Sequence, residues 1–124
     1  MSSQKGENME MEIFRITKND LSENNEYIGD GVFAGHLEID ADLGTVRFAS
    51  LRVEGYIHAI AGTDIRASEG IHAGWGIEAG NAISAGADIR AGWGIHSGCS
   101  NSASWCIHAG WGIRAGWGIH ASGG

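Results

Sequence analysis

From Asp64 onward the chain consists of ten consecutive six-residue repeats, and this period limits the possible folds more than any other feature of the sequence. The second position is Ile in nine of ten repeats and the fourth is Ala in nine of ten, with Asn101 and Ser97 as the exceptions. The third position is always polar, and the fifth is always Gly or Ser. A period of six fits the two-residue alternation of a β-strand and does not fit the roughly 3.6 residues of a helical turn. The repeat therefore predicts short strands.

Each repeat has an apolar and a polar side when it is extended. The Ile and Ala positions are two residues apart and point to one face, and the polar third residue points to the other. The small residues that predominate at the fifth and first positions allow a sharp bend between repeats. Three sides, about 18 residues, would close a triangular coil, and successive coils would stack about 4.8 Å apart through parallel hydrogen bonds. The sequence thus predicts an all-β fold, a short β-helix (solenoid) that we expect to be right-handed.

The chain before Asp64 divides into a leading segment and looser coils. Residues 1–10 are expected to be disordered, and residues 11–31, with the strand-like EIFRIT, are expected to form a strand and an N-terminal cap. The β-helix is predicted over residues 32–124, with wider coils before the regular repeats. Within these coils, HLEIDADL (36–43) alternates Leu and Ile with His36 and acidic residues, which predicts that His36 faces water.

The C-terminal repeats continue to the end of the given sequence without a polar capping segment. A bare coil would expose unpaired backbone groups and an apolar cross-section, and the terminal repeats of solenoids normally carry a cap. We therefore expect a second copy or another partner to cover this coil, in a homodimer with contacts from Trp117, Ile119 and His120.

The charge of the chain is negative and lies mostly in its first half. The formal net charge is −7; residues 1–54 hold 11 acidic and 5 basic residues, whereas residues 55–124 hold 4 and 3. Phosphate backbones and anionic lipids repel such a chain, so we expect no direct binding to nucleic acid or membrane. The negative charge either attracts a basic protein partner or serves only to keep the chain soluble, and the composition leaves both alternatives open. No apolar stretch approaches the roughly 20 residues of a membrane span, and no signal-peptide pattern begins the chain. These features predict a cytoplasmic protein in which Cys99 and Cys106 are reduced.

All five tryptophans occupy the sixth position of the repeat, a position that also holds Glu69 and Asn81. Because a position that accepts Glu and Asn is not sealed in a core, we expect the sixth residues to lie at exposed or half-exposed corners. On a coil of about 18 residues, Trp75, Trp93 and Trp111 fall into one file. Exposed tryptophan is typical of binding surfaces, so this file is a candidate partner-binding site. The alternative is that the rings only pack over the neighbouring glycines.

The histidines do not form a metal or catalytic cluster in the predicted arrangement. The stacking places His72, Arg90 and His108 in one file, so the two histidines are about two coils, roughly 10 Å, apart with a cation between them. Zinc needs ligands that converge at about 2 Å. The sequence also lacks a phosphate loop, a CxxC pair and a paired-carboxylate pattern. We expect no catalytic residue, no metal and no cofactor, and therefore a protein that is not an enzyme.

One repeat, SNSASW (100–105), breaks the pattern because Asn101 stands at an Ile position. The repeat either stays in register with a buried, hydrogen-bonded Asn101 or bulges out as a loop. A loop would bring Cys99 and Cys106 together and would move Trp111 and Trp117 to other sides of the helix. The pattern of the sequence leaves both alternatives open.

Four runs of residues are distinctive: AGWGIEAG, ADIRAGWGI and HAGWGIRAGWGIHA, and before them GHLEIDADLGTVRFASLRVEGYI. Together they resemble small GWGI-repeat proteins of phages and mobile elements, some of which are anti-CRISPR proteins. The resemblance covers about residues 28–121. The upstream run also resembles bactofilins, which are polymerising right-handed β-helices, although this chain is shorter and denser in Gly and Trp.

The anti-CRISPR resemblance implies an inhibitor that binds a CRISPR effector subunit and blocks DNA binding or nuclease action in the cytoplasm of a bacterial host. Effector channels that hold nucleic acid are basic, so an acidic nucleic-acid mimic would fit one. The partner-binding residues would be the carboxylates that face water in the early strands and the tryptophan file: Glu38, Asp40, Asp42, Glu54, Trp75, Trp93 and Trp111. The bactofilin resemblance implies instead a self-assembling scaffold that stacks end to end. A discrete dimer favours the inhibitor, and concentration-dependent filaments favour the scaffold.

Overall fold

A computed structural model describes residues 12–104, 106–116 and 118–121 of the chain. The expected all-β fold is confirmed, since in these ranges the helical structure is a single 3-10 turn at Lys18–Asp20, and no helix there is long and apolar enough to cross a membrane. The strands are β1 (Ile13–Ile16), β2 (Val32–Phe33), β3 (His36–Ile39), β4 (Gly44–Phe48), β5 (Leu51–Val53), β6 (Ile57–Ala59), β7 (Thr63–Ala67), β8 (Ile71–Ala73), β9 (Ile77–Ala79), β10 (Ile83–Ala85), β11 (Ile89–Ala91), β12 (Gly94–Ser97), β13 (Ser100–Ala103), β14 (Ile107–Ala109), β15 (Gly112–Ala115) and β16 (Gly118–Ala121).

The strands stack into three parallel sheets, which are the three sides of a β-helix of about 5 turns. Face 1 has the order β1-β3-β6-β9-β12-β15, face 2 has β4-β7-β10-β13-β16, and face 3 has β2-β5-β8-β11-β14. From β3 onward, consecutive strands of the chain lie on different faces, and each pairs with a strand one coil away, as a six-residue period requires. The predicted solenoid of short strands is therefore confirmed, and its right hand stays a prediction.

The register between strands sets the length of each coil. In the regular part Ile65 pairs with Ile83, 18 residues later. In the early part Leu37 pairs with Ile57, 20 residues later, so the first coils are wider than the repeats that follow. The repeat that contains Asn101 keeps the regular spacing, because Asn101 pairs with Ile83 in the same sheet.

The Ile and Ala positions of the repeat line the interior of the helix. Pairing in register places the Ile of one coil beside the Ile of the next, so each side chain is covered from both directions along the axis. Burial of one Ile side chain contributes about 1.5–3 kcal/mol, and a single repeat cannot bury its own Ile without neighbours. In the middle coils the Ile side chains are at most 2% exposed: Ile65, Ile71, Ile77, Ile83, Ile89 and Ile95.

The segment before β2 covers the N-terminal end of the stack. The backbone N–H of Tyr27 donates to the carbonyl oxygen of Arg47 at 2.8 Å, and the backbone N–H of Arg47 donates to the carbonyl oxygen of Asn25 at 2.9 Å. This segment therefore pairs with the outer edge of β4. The Tyr27 ring packs on Phe33 and Phe48, with both centroid distances 5.6 Å. β1 extends face 1 by pairing with β3. The expected disorder of residues 1–10 concerns a part of the chain outside the described residues.

Candidate binding groove along the tryptophan file

Trp75, Trp93 and Trp111 lie one above another at the corner between faces 3 and 1, as the 18-residue period predicts. Backbone hydrogen bonds hold them in register. The N–H of Trp93 donates to the carbonyl oxygen of Trp75 at 2.9 Å, and the N–H of Trp111 donates to the carbonyl oxygen of Trp93 at 2.7 Å. The rings are stacked, with centroids 4.9 Å apart and planes at 12° for the first pair, and 5.5 Å and 8° for the second. We call this set the tryptophan file.

Exposure increases along the tryptophan file toward the C-terminal end. Trp75 is half-buried, Trp93 is 44% exposed and Trp111 is 80% exposed. Stacking covers the faces of the inner rings and leaves their edges at the surface, and in the described part of the chain the outer face of Trp111 carries no further ring. The rings therefore pack on one another and still present a large apolar surface to water. Trp105 and Trp117 lie outside the described residues.

The N-terminal end of the file continues into Tyr56 and His36. The His36 ring stacks on Tyr56 at 4.1 Å and meets Trp75 edge-on at 4.7 Å. His36 is 9% exposed, and its Nδ1 accepts a hydrogen bond from the backbone N–H of Tyr56 at 3.1 Å. The prediction that His36 faces water is therefore wrong. It stands at the start of β3, where the chain turns out of the corner, and strand alternation does not apply there.

Gly55 is the sequence signal for this buried histidine. Gly55 precedes Trp75 in the same corner, where the backbone N–H of Trp75 donates to its carbonyl oxygen at 3.0 Å. A Cβ atom on Gly55 would collide with Nδ1 of His36. The missing side chain thus makes room for the imidazole, and the aromatic stack extends over five coils, from His36 to Trp111, instead of the three that the sequence predicted.

A groove of about 780 Å³ runs beside the tryptophan file on face 1. The file forms one wall, and the polar third residues of the repeat form the other. These residues alternate in character along the axis, because registered pairing sets each beside its neighbour in the next coil: His58, Glu78, His96 and Arg114. The groove therefore offers apolar ring edges on one side and donors, acceptors and both signs of charge on the other.

Glu38 and Asp40 lie together, but they share a cation. Arg15, on β1, is in register with Glu38 and reaches its Oε1 at 3.1 Å and the Asp40 Oδ1 at 3.4 Å. Part of the negative charge that the sequence assigned to a partner is thus taken up within the chain. All three side chains remain at least a quarter exposed, so these ion pairs are weak and sensitive to salt.

The structure places the other two proposed acidic residues apart from this pair. Asp42 lies in the turn after face 1 with a positive φ of 56°, opposite Gly62 in the next coil. Glu54 is exposed at the corner between faces 3 and 1, where its carbonyl oxygen approaches Gly74. The four carboxylates therefore spread over two corners and one face and do not form a single patch.

The broken repeat stays in register. Asn101 is fully buried in the Ile column of face 2, between Ile83 and Ile119. β13 separates Cys99 from Cys106, and at about 3.3 Å per residue it holds them farther apart than the roughly 7 Å between Cα atoms that a disulfide allows. Both cysteines are free thiols. The looped alternative is thus wrong, and Trp111 remains over Trp93.

The Asn101 amide is not hydrogen-bonded in the way that the in-register alternative assumed. In the described part of the chain neither its nitrogen nor its oxygen has a hydrogen-bond partner, and the Ser97 hydroxyl in the same coil has none either. Buried polar groups without partners cost stability, so we expect Asn101 to stabilise this coil less than an Ile at the same position would.

The C-terminal coil is open in the described structure. β16 is the outer strand of face 2, Ile119 is 51% exposed, and His120 is exposed. His120 lies in register with Ser102 on the outer side of face 2. Trp117, which the sequence placed in the same contact, lies outside the described residues.

Within residues 12–104, 106–116 and 118–121, no group of three or more His, Cys, Asp or Glu side chains is placed to hold a metal ion. No protein-family model matches this chain, and comparisons with curated proteins and with solved structures give no match. The tryptophan file and the groove beside it are the features on which a functional assignment rests.

Proposed function

We propose that this protein is a protein-binding inhibitor of a bacterial defence system, of the anti-CRISPR kind, and that it holds an effector subunit through the groove along the tryptophan file. The observation that carries the proposal is the exposure of Trp93 (44%) and Trp111 (80%) beside that groove. Large exposed aromatic side chains in a small chain are typical of partner anchors, because they release much apolar surface from water when covered. The choice of a CRISPR effector rests on the resemblance of the repeat runs.

The two walls of the groove suit a protein segment that lies along the axis. Apolar side chains of the partner would pack against the ring edges of the tryptophan file, and its polar groups would meet Glu78, His96 and Arg114 on the opposite wall. A rigid β-helix holds these groups at fixed spacings of about 4.8 Å, so little entropy is lost when the partner binds.

The acidic N-terminal half adds a long-range attraction in this proposal. Residues 1–54 carry a net charge of −6, from 11 acidic and 5 basic residues. Basic channels that hold nucleic acid would attract this end and raise the association rate. Replacing Glu38, Asp40 and Asp42 by Gln or Asn should lower the association rate and its salt dependence, because the long-range attraction is weakened. The dissociation rate should change less, since Glu38 and Asp40 already pair with Arg15 within the chain. Unchanged inhibition by this variant would contradict nucleic-acid mimicry.

Capture followed by an activity assay tests the proposal. The immobilised protein is exposed to a lysate of a CRISPR-bearing bacterium, bound proteins are identified by mass spectrometry, and DNA cleavage by the purified captured effector is measured with and without the protein. Trp111→Ala should weaken binding about thirtyfold, the effect of losing an anchor of about 2 kcal/mol. Because most of this ring is exposed, the variant should stay folded, and Arg66→Ala, on the exposed side of face 2, is the matched control.

Two outcomes would contradict this function. Equal capture by wild type and by the triple variant Trp75→Ala, Trp93→Ala, Trp111→Ala would exclude the tryptophan file as the binding surface. Capture of an effector whose cleavage activity is unchanged would exclude inhibition while leaving the groove as a binding site.

Self-association is a second candidate function, and the open C-terminal coil favours it. Within the described residues β16 has a neighbouring strand on one side only, and half of Ile119 is exposed beside it. The N-terminal end is covered by the pairing of residues 25–27 with β4, so the C-terminal coil of one copy would meet the C-terminal coil of another. This geometry gives a closed dimer rather than a filament. Light scattering over a concentration series should show a dimer that Ile119→Asp dissociates; filaments would support a bactofilin-like scaffold instead.

A further inference from the structure

Face 3 carries a continuous file of basic side chains on its outer surface. Arg52 is in register with His72, His72 with Arg90, and Arg90 with His108, so the four lie in adjacent coils. The file contains no carboxylate at any of these four positions. The corresponding position on face 1 mixes acidic and basic residues, and on face 2 two arginines are followed by two serines and His120.

The permanent positive charges of this file are Arg52 and Arg90, which lie two coils apart on either side of His72. Coils lie about 4.8 Å apart, so both arginines lie close to the His72 position. The nearest compensation is Asp88, whose Oδ2 lies 3.6 Å from Nε of Arg90. The protein as a whole is acidic, with a net charge of −7, yet the outward positions from Arg52 to His108 form an unbroken basic file on this face. A file of positive charge and hydrogen-bond donors attracts anions.

The centre of the file offers hydrogen-bond donors to one small anion. His72 is half-buried between the exposed side chains of Arg52 and Arg90, so two guanidinium groups flank an imidazole one coil away on either side. Burial, followed by the positive charges of Arg52 and Arg90, lowers the pKa of His72, and Asp88 opposes this effect. An anion seated between the arginines would remove part of the repulsion and would favour the protonated imidazole.

We infer that Arg52, His72 and Arg90 form a binding site for a phosphate-class oxyanion. Guanidinium groups bind tetrahedral oxyanions through paired N–H donors, and a dianion balances two arginines where a carboxylate would balance only one. An extended nucleic acid fits less well, because beyond Arg52 it would run toward the acidic N-terminal end of the rod. The site lies on a different face from the groove, so it is independent of the proposed function.

Titration with inorganic phosphate, followed by NMR of the histidine side chains at constant ionic strength, tests the site. The His72 resonances, assigned with His72→Gln, should shift and saturate. Arg52→Gln and Arg90→Gln should each weaken binding about tenfold, the effect of losing one charge-assisted hydrogen bond. Asp88→Asn should strengthen binding, because it frees Arg90 from its carboxylate. Arg66→Gln removes the same charge from the same repeat position on face 2 and should leave binding unchanged.

Three probes distinguish the source of the oxyanion and can overturn the site. Tighter binding of a phosphoserine peptide than of free phosphate would identify a modified protein side chain as the source, and the reverse would identify a free phosphate compound. The inference fails if phosphate causes no saturable shift, or if Arg66→Gln weakens binding as much as Arg90→Gln does. It also fails if a single-stranded oligonucleotide binds more tightly than both phosphate probes, because the file would then serve a polyanion. Thermal melts of each variant verify that the fold is intact.

Discussion

The middle coils and the last coil of this β-helix are built from almost the same repeat, yet they differ in burial. Ile77, in the repeat GIEAGN, is 2% exposed, whereas Ile119, in GIHASG, is 51% exposed. The local sequence is not the cause, because both Ile residues follow Gly and precede a polar residue and Ala. The difference is that β9 has a neighbouring strand on both sides and β16 on one. A repeat in this fold is therefore stabilised by the coils next to it rather than by its own residues.

The N-terminal end of the stack is covered by residues that differ from those of the repeat. There the aromatic side chains of Phe14, Tyr27 and Phe33 pack together, and Ile16 is 1% exposed although it stands in an outer strand. The repeat region has no such cluster at its other end within the described residues, where Ile107 and Ile113 are only half-buried. Within the described residues, the N-terminal coils are therefore covered and the last coil is not.

The largest effect should come from comparing one truncation in the two regions. Ile77→Ala leaves a cavity between filled coils and should lower the free energy of unfolding by about 2–5 kcal/mol. Ile119→Ala removes a side chain that is already half exposed and should cost about 1 kcal/mol or less. Urea denaturation of both variants measures the difference. Equal losses would mean that the last coil is covered in solution, as the dimer requires.

A pair of glycines should sharpen the same comparison. A Cβ atom on Gly98 would collide with the carbonyl oxygen of Gly80 in the preceding coil, so Gly98→Ala should destabilise by about 1–3 kcal/mol. Gly112 has open space around the same point, and Gly112→Ala should be neutral or stabilise by about 0.5 kcal/mol through the unfolded state. Thermal unfolding followed by circular dichroism compares the two. A large loss for Gly112→Ala would show that another chain approaches it.

Replacing Asn101 should raise the free energy of unfolding, whereas the substitutions above lower it or leave it unchanged. Asn101→Ile restores the repeat at a fully buried position between Ile83 and Ile119, and it removes an amide without partners in the described structure. We expect a gain of about 1–3 kcal/mol in the free energy of unfolding. Asn101→Ala is the control, because it removes the amide without filling the space. Destabilisation by both variants would show that the amide is hydrogen-bonded in solution.

The smallest effect should be the pH dependence from His72. Its pKa lies below the ordinary value of 6.5 in the folded state, so the unfolded chain binds more protons between these two values. The stability contribution is therefore fully present above about pH 6.5 and is lost as the pH falls through the folded pKa. The urea midpoint should drop between pH 7.5 and pH 5.5 by a little less in His72→Gln than in wild type. Identical slopes would contradict this assignment.

The placement of the candidate site residues could be predicted only in part, because it depends on contacts between residues at different distances along the chain. The stacking of Trp75, Trp93 and Trp111 follows from the repeat, since a fixed period places equivalent residues in one file. The burial of His36 could not be predicted, because it depends on Gly55 and Tyr56, which lie a full coil later. The pairing of Arg15 with Glu38 and Asp40 was missed for a similar reason: it required β1 to join the same face.

The sequence by itself determined the all-β solenoid, its coil of about 18 residues and the interior of Ile and Ala, because these depend on a six-residue period that recurs along the chain. Only the tertiary structure decided that Asn101 stays in register, which carboxylates are paired, how far Trp75, Trp93 and Trp111 are exposed and that Arg52 joins the file of His72, Arg90 and His108 on face 3. These properties depend on which coil lies beside which, and a side chain has no fixed environment until its neighbours are stacked on it.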